Sequence, residues 1–250
     1  MKIKTKIKEK EIYNIGKGQV GKFVDRPNRF VANIKLSEET HLCHVHDSGR
    51  IRELLYENNN VKIRKALNTE NRKTLYDVIS AFADDGEEIL INSAFHRYIS
   101  QNLILDEEIS PFGKILNLQA EVKHGKSRMD FLLKKKTNKN KEENIWVEVK
   151  GVSLSVDKTA IFPDAPSERA TKHLKELIEL KENGDRSAVL FLIFRDSNFF
   201  RPKHETDPKF AKAFYKAMEK GVEIYIVQCF MKNDKIYYRN KNITILEENK

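Results

Sequence analysis

S-R-M-D-F-L-L at residues 127–133 and W-V-E-V-K-G at residues 146–151 decide how this 250-residue chain is read. Each string sets charge among β-branched, aromatic and aliphatic residues, the composition of a buried or half-buried strand. Side chains alternate across a strand, so Glu148 and Lys150 share a face. An acid and a lysine on one face of an apolar strand are costly unless they are paired, hydrated or bound to a metal. With Asp130 on an adjacent strand the three groups converge, which is the layout a Mg²⁺-dependent nuclease needs.

Working outward from this pair, H-G-K at 124–126 reads as a tight hairpin between strands at 118–123 and 127–134. A lysine-rich loop leads to the third strand at 144–152. Upstream lie a short strand at 88–91 and a helix at 93–105, with Ser93 as N-cap and Phe95, Ile99 and Leu103 on one stripe. Downstream, Leu174, Leu177 and Ile178 mark a helix at 167–182 that Asn183-Gly184 ends, and the apolar run 188–194 follows as a buried strand. Residues 93–194 thus have the order α-β-β-β-α-β. A helix at 208–220, a strand at 222–228 and a C-terminal hairpin complete an α/β (α+β, mixed-sheet) domain.

The first third has another rhythm. Strands are expected at 19–25, 29–36, 40–46, 61–67 and 74–82, with a short helix at 51–56 and a loop at Asn58-Asn59-Asn60. Five strands in about seventy residues predict a small β-barrel. The A-D-D-G turn at 83–86 divides the chain into domains 1–85 and 86–250. The start, M-K-I-K-T-K-I-K-E-K, suits a short edge strand or a tail and lacks the apolar stretch of a signal peptide.

Charged residues make up 33% of the chain and hydrophobic residues 40%, a globular profile with no run long enough to span a membrane. Net charge is +9. Residues 1–83 hold 17 Lys and Arg against 10 Asp and Glu, whereas residues 84–250 hold 29 against 27. A positive surface concentrated in one third of the chain favours a polyanion, most simply nucleic acid. Cys43 and Cys229 match no metal or redox spacing, so a reducing cytoplasm is the expected compartment.

Phosphodiester cleavage needs an activated water, a Lewis acid on the phosphate and stabilisation of the leaving oxygen. Mg²⁺ or Mn²⁺ supplies the first two and asks the protein for only one or two carboxylates. Asp130 and Glu148 are the candidate ligands. Glu121, on the preceding strand, is a third ligand or holds a metal-bound water, and the Val149 carbonyl is a further candidate. Lys150 is placed to contact the attacking water or the phosphate.

The chain resembles the sugar fermentation stimulation protein (SfsA) family over nearly its whole length. The resemblance rests on R-P-N-R-F (26–30), H-V-H-D-S-G-R (44–50), I-N-S (91–93), E-V-K-H-G-K-S-R-M-D-F-L-L (121–133), E-V-K-G-V-S-L (148–154), F-P-D-A-P-S-E-R-A-T-K-H-L (162–174) and G-V-E-I (221–224). It implies an N-terminal OB-like barrel followed by a nuclease-like domain of the PD-(D/E)xK type, with the motif on Asp130, Glu148 and Lys150 and Glu121 as the accompanying acid. It also implies DNA binding without sequence specificity and a link to regulation of sugar metabolism. Two functions fit that picture: a Mg²⁺-dependent endonuclease, or a non-enzymatic DNA-binding regulator on a nuclease scaffold. This chain departs from the family pattern at His46-Asp47, at Ser93 in place of Thr, and at Gly151 in place of Ser. The last would loosen the strand end beside the site.

Other candidates flank this core. Asp164 reads either as a helix cap or as a residue at the rim of the metal site. Arg169, Lys172 and His173 line a phosphate-contacting flank, with Glu168 positioned to pair with Lys172. Arg26, Asn28, Arg29 and Phe30, extended by Arg50 and Arg52, suit an OB-type groove that holds single strands by cations and ring stacking, and the resemblance makes DNA rather than RNA the expected ligand. The alternative is a β-turn with Phe30 in the core. A zinc site at His41, Cys43, His44 and His46 is disfavoured, because alternation sets Cys43 against His44 and His46.

Overall fold

The computed structural model describes residues 8–247 except Ser48, Asn68, Thr69, Asn71 and Asn138. The edge strand considered around Ile3 and Ile7 lies outside the described residues.

The chain opens with β1 (Glu9–Asn14) and then builds the barrel from β2 (Gln19–Asn28), β3 (Val31–Leu36), β4 (Glu39–His44), β5 (Asn60–Lys65), β6 (Tyr76–Phe82) and the short β7 (Glu88–Leu90). The sheet runs β4-β3-β2-β5-β6-β7, and a parallel pairing of Cys43 with Tyr76 and His44 with Asp77 closes β4 onto β6. The result is the five-stranded OB barrel expected from the strand count. No helix forms at 51–56. Ile51 takes φ +48°, and Ile51, Leu54 and Leu55 enter the core from turns. Their helix-like spacing reflects burial of one side of a compact loop.

A 3₁₀ turn (Ser93–Phe95) leads into α1 (His96–Leu105). The cap is Asn92, whose side chain accepts from Ala94 N, and Ser93 Oγ instead donates to the His46 carbonyl. Then follow β8 (Asn117–His124), β9 (Ser127–Lys136), β10 (Glu142–Val152), β11 (Ser155–Val156), β12 (Thr159–Phe162), α2 (Glu168–Glu182), β13 (Arg186–Ile193), β14 (Phe199–Pro202), α3 (Pro208–Glu219), β15 (Glu223–Lys232), β16 (Lys235–Arg239) and β17 (Thr244–Ile245). The main sheet is β1-β16-β15-β13-β10-β9-β8, with β10, β13 and β15 mutually parallel. A small sheet, β11-β12-β14-β17, lies beside it.

Alternation on β13 divides the interior. Ala188, Leu190 and Leu192 face one apolar cluster, and Val189, Phe191 and Ile193 face another. The second cluster holds Leu174 and Leu177 of α2 with Phe210 and Phe214 of α3. The first runs without interruption from the sheet through α1 into the barrel, uniting Phe131, Val147 and Ile99 with Ile34, Val61 and Ile63. Two strands cross the expected boundary: β1 joins the main sheet beside β16, and β7 belongs to the barrel sheet. Lys62 of β5, 8% exposed, reinforces the junction through Asp234 at 2.7 Å and Glu88 at 2.6 Å.

Candidate active site

The register of three adjacent strands assembles the site. Ala120 pairs with Phe131 and Val122 with Met129, so Glu121 stands opposite Asp130 on β8 and β9. The β9–β10 ladder runs to Phe131 opposite Val147, and Asp130 and Glu148 come next. Both ladders lack a bridge at Asp130, where the strands fork. Asp130 Oδ2 accepts from the Val149 amide at 2.7 Å instead. The face of β9 changes there too, since Met129 packs with α2 and α3 while Phe131 and Leu133 pack towards α1. Glu121 takes φ +58°, a strained value for a residue with a side chain.

Glu148 is only 2% exposed. Its Oε1 accepts from Lys150 Nζ at 2.5 Å, and His173 Nδ1 of α2 lies 2.5 Å from the same oxygen. Its Oε2 is buried and has no hydrogen-bond partner among the described residues. Burial would raise this carboxyl, but Lys150 and then His173 outweigh burial and hold it below its ordinary value. At Asp130 the Val149 amide and the Lys150 charge do not offset burial. Burial, with the Glu148 charge added, pushes it up to about 6. His96, half-buried and lining the same cavity, is pushed down to about 4 by burial and by Lys150. Its ring stacks on Phe194 at 5.3 Å and occupies the space beside Gly151.

Asp130, Glu148, Lys150 and Glu121 line one cavity of about 450 Å³. Arg97 and Tyr98 of α1 form one wall, and Ser167 and Arg169 at the start of α2 form the other. Glu121 pairs with Arg128 at 2.7 Å rather than closing onto the other acids. Among the described residues no three His, Cys, Asp or Glu side chains stand close enough to hold an ion by themselves. The donors that fit a small divalent cation are therefore Asp130, the unpartnered Oε2 of Glu148 and the adjoining backbone, with water completing the shell. His173 is a partner of Glu148 that the sequence motifs do not reveal. The available signal was a polar residue on the buried stripe of Ala170, Leu174 and Leu177.

The flanking candidates separate. Ser167, not Asp164, caps α2 by accepting from Ala170 N, while Asp164 Oδ2 accepts from Ile51 N at 2.7 Å and ties the 162–166 segment to the barrel. Lys172 pairs with Glu176 at 3.6 Å rather than with Glu168. The Arg26 guanidinium donates to the carbonyls of Arg29, Asp47, Gly49 and Arg50, so it holds its own loop. Asn28 Oδ1 accepts from Phe30 N and forms the turn. Phe30 is 50% exposed, with Arg29 5.9 Å from its ring centre, and is not a core residue. Arg29, Arg50 and Arg52 line a cavity of about 430 Å³ that reaches Ala165 and Pro166. A cleft lined by Arg29, Gly151, Phe162 and Ser167 joins that arginine surface to the strand end of the candidate site. Cys43 is buried in the barrel, and burial pushes its thiol up to about 12, whereas the His44 and His46 rings meet each other edge to face at 4.4 Å.

Comparison with known proteins gives a consistent picture. The family description "Sugar fermentation stimulation protein RE domain" matches residues 91–235, and "SfsA N-terminal OB domain" matches residues 24–91. A "Sugar fermentation stimulation protein homolog" of Thermosipho melanesiensis is 40% identical over 230 residues, covering 92% of this chain and 96% of its own. The homolog of Methanothermobacter thermautotrophicus is 42% identical over 205 residues, 82% of each chain. A solved structure described as "The structure of Pyrococcus Furiosus SfsA in complex with Ca2+" superposes with a TM-score of 0.83 at 26% identity, covering 95% of this chain and 100% of that one. No helix among the described residues is long and apolar enough to cross a membrane.

Proposed function

This chain belongs to the sugar fermentation stimulation protein family, and from that premise we propose that it binds DNA and cleaves it with Mg²⁺ or Mn²⁺ at the Asp130–Glu148 fork. The observation that carries the proposal is the Oε2 of Glu148, buried without a partner in the cavity that Asp130 also lines. A buried carboxylate oxygen left unpartnered is costly, and a divalent cation is the group that best satisfies it. The Pyrococcus furiosus protein was solved in complex with Ca²⁺, which is in keeping with a hard-cation site in the family.

A bound cation would supply Lewis acidity and a water of lowered pKa. Asp130 and Glu148 would hold it in their ionised forms. His173 fixes the Glu148 carboxylate through Oε1, and Oε2 is left without a partner among the described residues. Lys150, bonded to Glu148, lines the same cavity, where its charge would offset that developing on the phosphoryl oxygens. Arg169 and Arg97 stand on opposite walls to position the flanking phosphates. Arg29, Arg50 and Arg52 extend the grip onto the barrel.

The test compares wild type with Asp130→Asn and Lys150→Ala on labelled DNA and RNA in Mg²⁺ and Mn²⁺. Loss of cleavage in both variants with folding retained supports the reading. Equal cleavage by all three assigns the activity to another site or a contaminant. DNA binding without turnover in any metal replaces cleavage with the non-enzymatic regulator.

A further inference from the structure

Arg97 and Tyr98 form the α1 wall of the candidate catalytic cavity and have no part in holding a cation. Tyr98 is 47% exposed in the first turn of a helix whose other side is core. Its ring is braced from behind: Tyr13 of β1 stacks on it at 6.0 Å with an interplanar angle of 21°, and Phe95 supports Tyr13 at 5.9 Å. Asn102 of α1 also donates to the Ile12 carbonyl at 2.9 Å and pins the helix to that strand. Arg97 lies 5.7 Å from the Tyr98 ring centre. The barrel repeats this pairing in Arg29 and exposed Phe30.

A flat ring held rigid, exposed and carrying a guanidinium is a stacking platform for a nucleobase, and the guanidinium adds contact with phosphate or with the base face. We propose that Tyr98 with Arg97 is a nucleotide subsite beside the scissile phosphate, taking an unpaired base and thereby selecting single-stranded or frayed nucleic acid over intact duplex. In a duplex the base faces are already stacked on one another, so only an unpaired or extruded base can lie on the ring. The inference rests on the nucleic-acid reading of the site.

The experiment is a fluorescence titration of oligonucleotides carrying 2-aminopurine, as single strand and as duplex, without divalent ions so that nothing is cleaved. Wild type, Tyr98→Phe and Tyr98→Ala are compared, with thermal unfolding to confirm that each is folded. Wild type and Tyr98→Phe are expected to quench the probe and to favour the single strand. Tyr98→Ala is expected to lose the quench and about five- to a hundredfold of single-strand affinity, with duplex affinity unchanged. Tyr98→Ala binding single strands like wild type overturns the subsite, as does an equal loss on both substrates. Wild type binding neither substrate at low salt instead overturns the nucleic-acid reading itself, and the subsite with it.

Discussion

Gly151 yields its side-chain space to the ring of His96: a β-carbon on Gly151 would lie 2.0 Å from His96 Cε1. This glycine lets the half-buried His96 ring pack against the strand that carries Glu148 and Lys150. Gly151→Ala must push that ring off Phe194 or bend β10. We expect a loss of about 1–3 kcal/mol in stability, read by chemical denaturation, with a fall in cleavage because Glu148 and Lys150 ride on the same strand. A variant as stable and active as wild type would show that the His96 pocket gives way freely.

Cation binding should follow the Asp130 proton. This carboxyl sits at about 6 in the folded chain, so below that pH a ligand must first be deprotonated. Mn²⁺ affinity, measured by calorimetry, is expected to fall roughly tenfold per pH unit below 6 and to level off above about 7. A flat profile down to pH 5 would remove Asp130 from the ligand set.

Asp130 and His96 act on metal-free stability with opposite sign. Asp130 is raised from 3.8 to about 6, so its stabilising protonation is complete at low pH and lost as pH rises through 6. His96 is lowered from 6.5 to about 4, so its contribution is complete above 6.5 and lost as pH falls through 4. Each amounts to roughly 3 kcal/mol, and the two nearly cancel between pH 4 and 6. Asp130→Asn should therefore gain stability with rising pH across this window, and His96→Gln should lose it. Parallel denaturation curves for the two variants would contradict the assignment.

Two arginines three residues apart should behave differently. Arg26→Ala strips the donor from four backbone carbonyls and is expected to lower stability by a few kcal/mol, since charge-assisted bonds contribute about 1.5–3 kcal/mol each and are not additive. Arg29→Ala should leave unfolding unchanged and weaken DNA binding, with the slope of log affinity against log salt reduced by about 0.7–0.9. An unchanged slope would take Arg29 off the phosphate path.

The candidate metal-site acids were legible because strand alternation is local: Glu148 and Lys150 share a face whatever the rest of the chain does, and apolar neighbours mark them as buried. Their partners were not, because His173 and His96 arrive on helices from opposite faces of the sheet. Arg26 looked like a free cation since its partners are backbone carbonyls, which leave no trace in side-chain chemistry. The barrel followed from strand spacing, yet β1 pairs with β16 some 230 residues away, and no local pattern encodes that. The four-residue strands β12 and β14 pair with each other across α2 and β13, and no local pattern encodes that pairing.

The apolar cluster that passes from barrel to sheet leaves no seam where the two halves can part, and the bond from Ile51 to Asp164 closes the surface above it. The interval between the barrel backbone that carries the arginines and the strand that carries Lys150 is therefore set by one shared core. On the proposed function, a strand gripped at Arg29 would meet the candidate site after a length set by the folded core rather than by the slack of a tether. Fragment ends measured from a bound terminus would then fall at one characteristic distance.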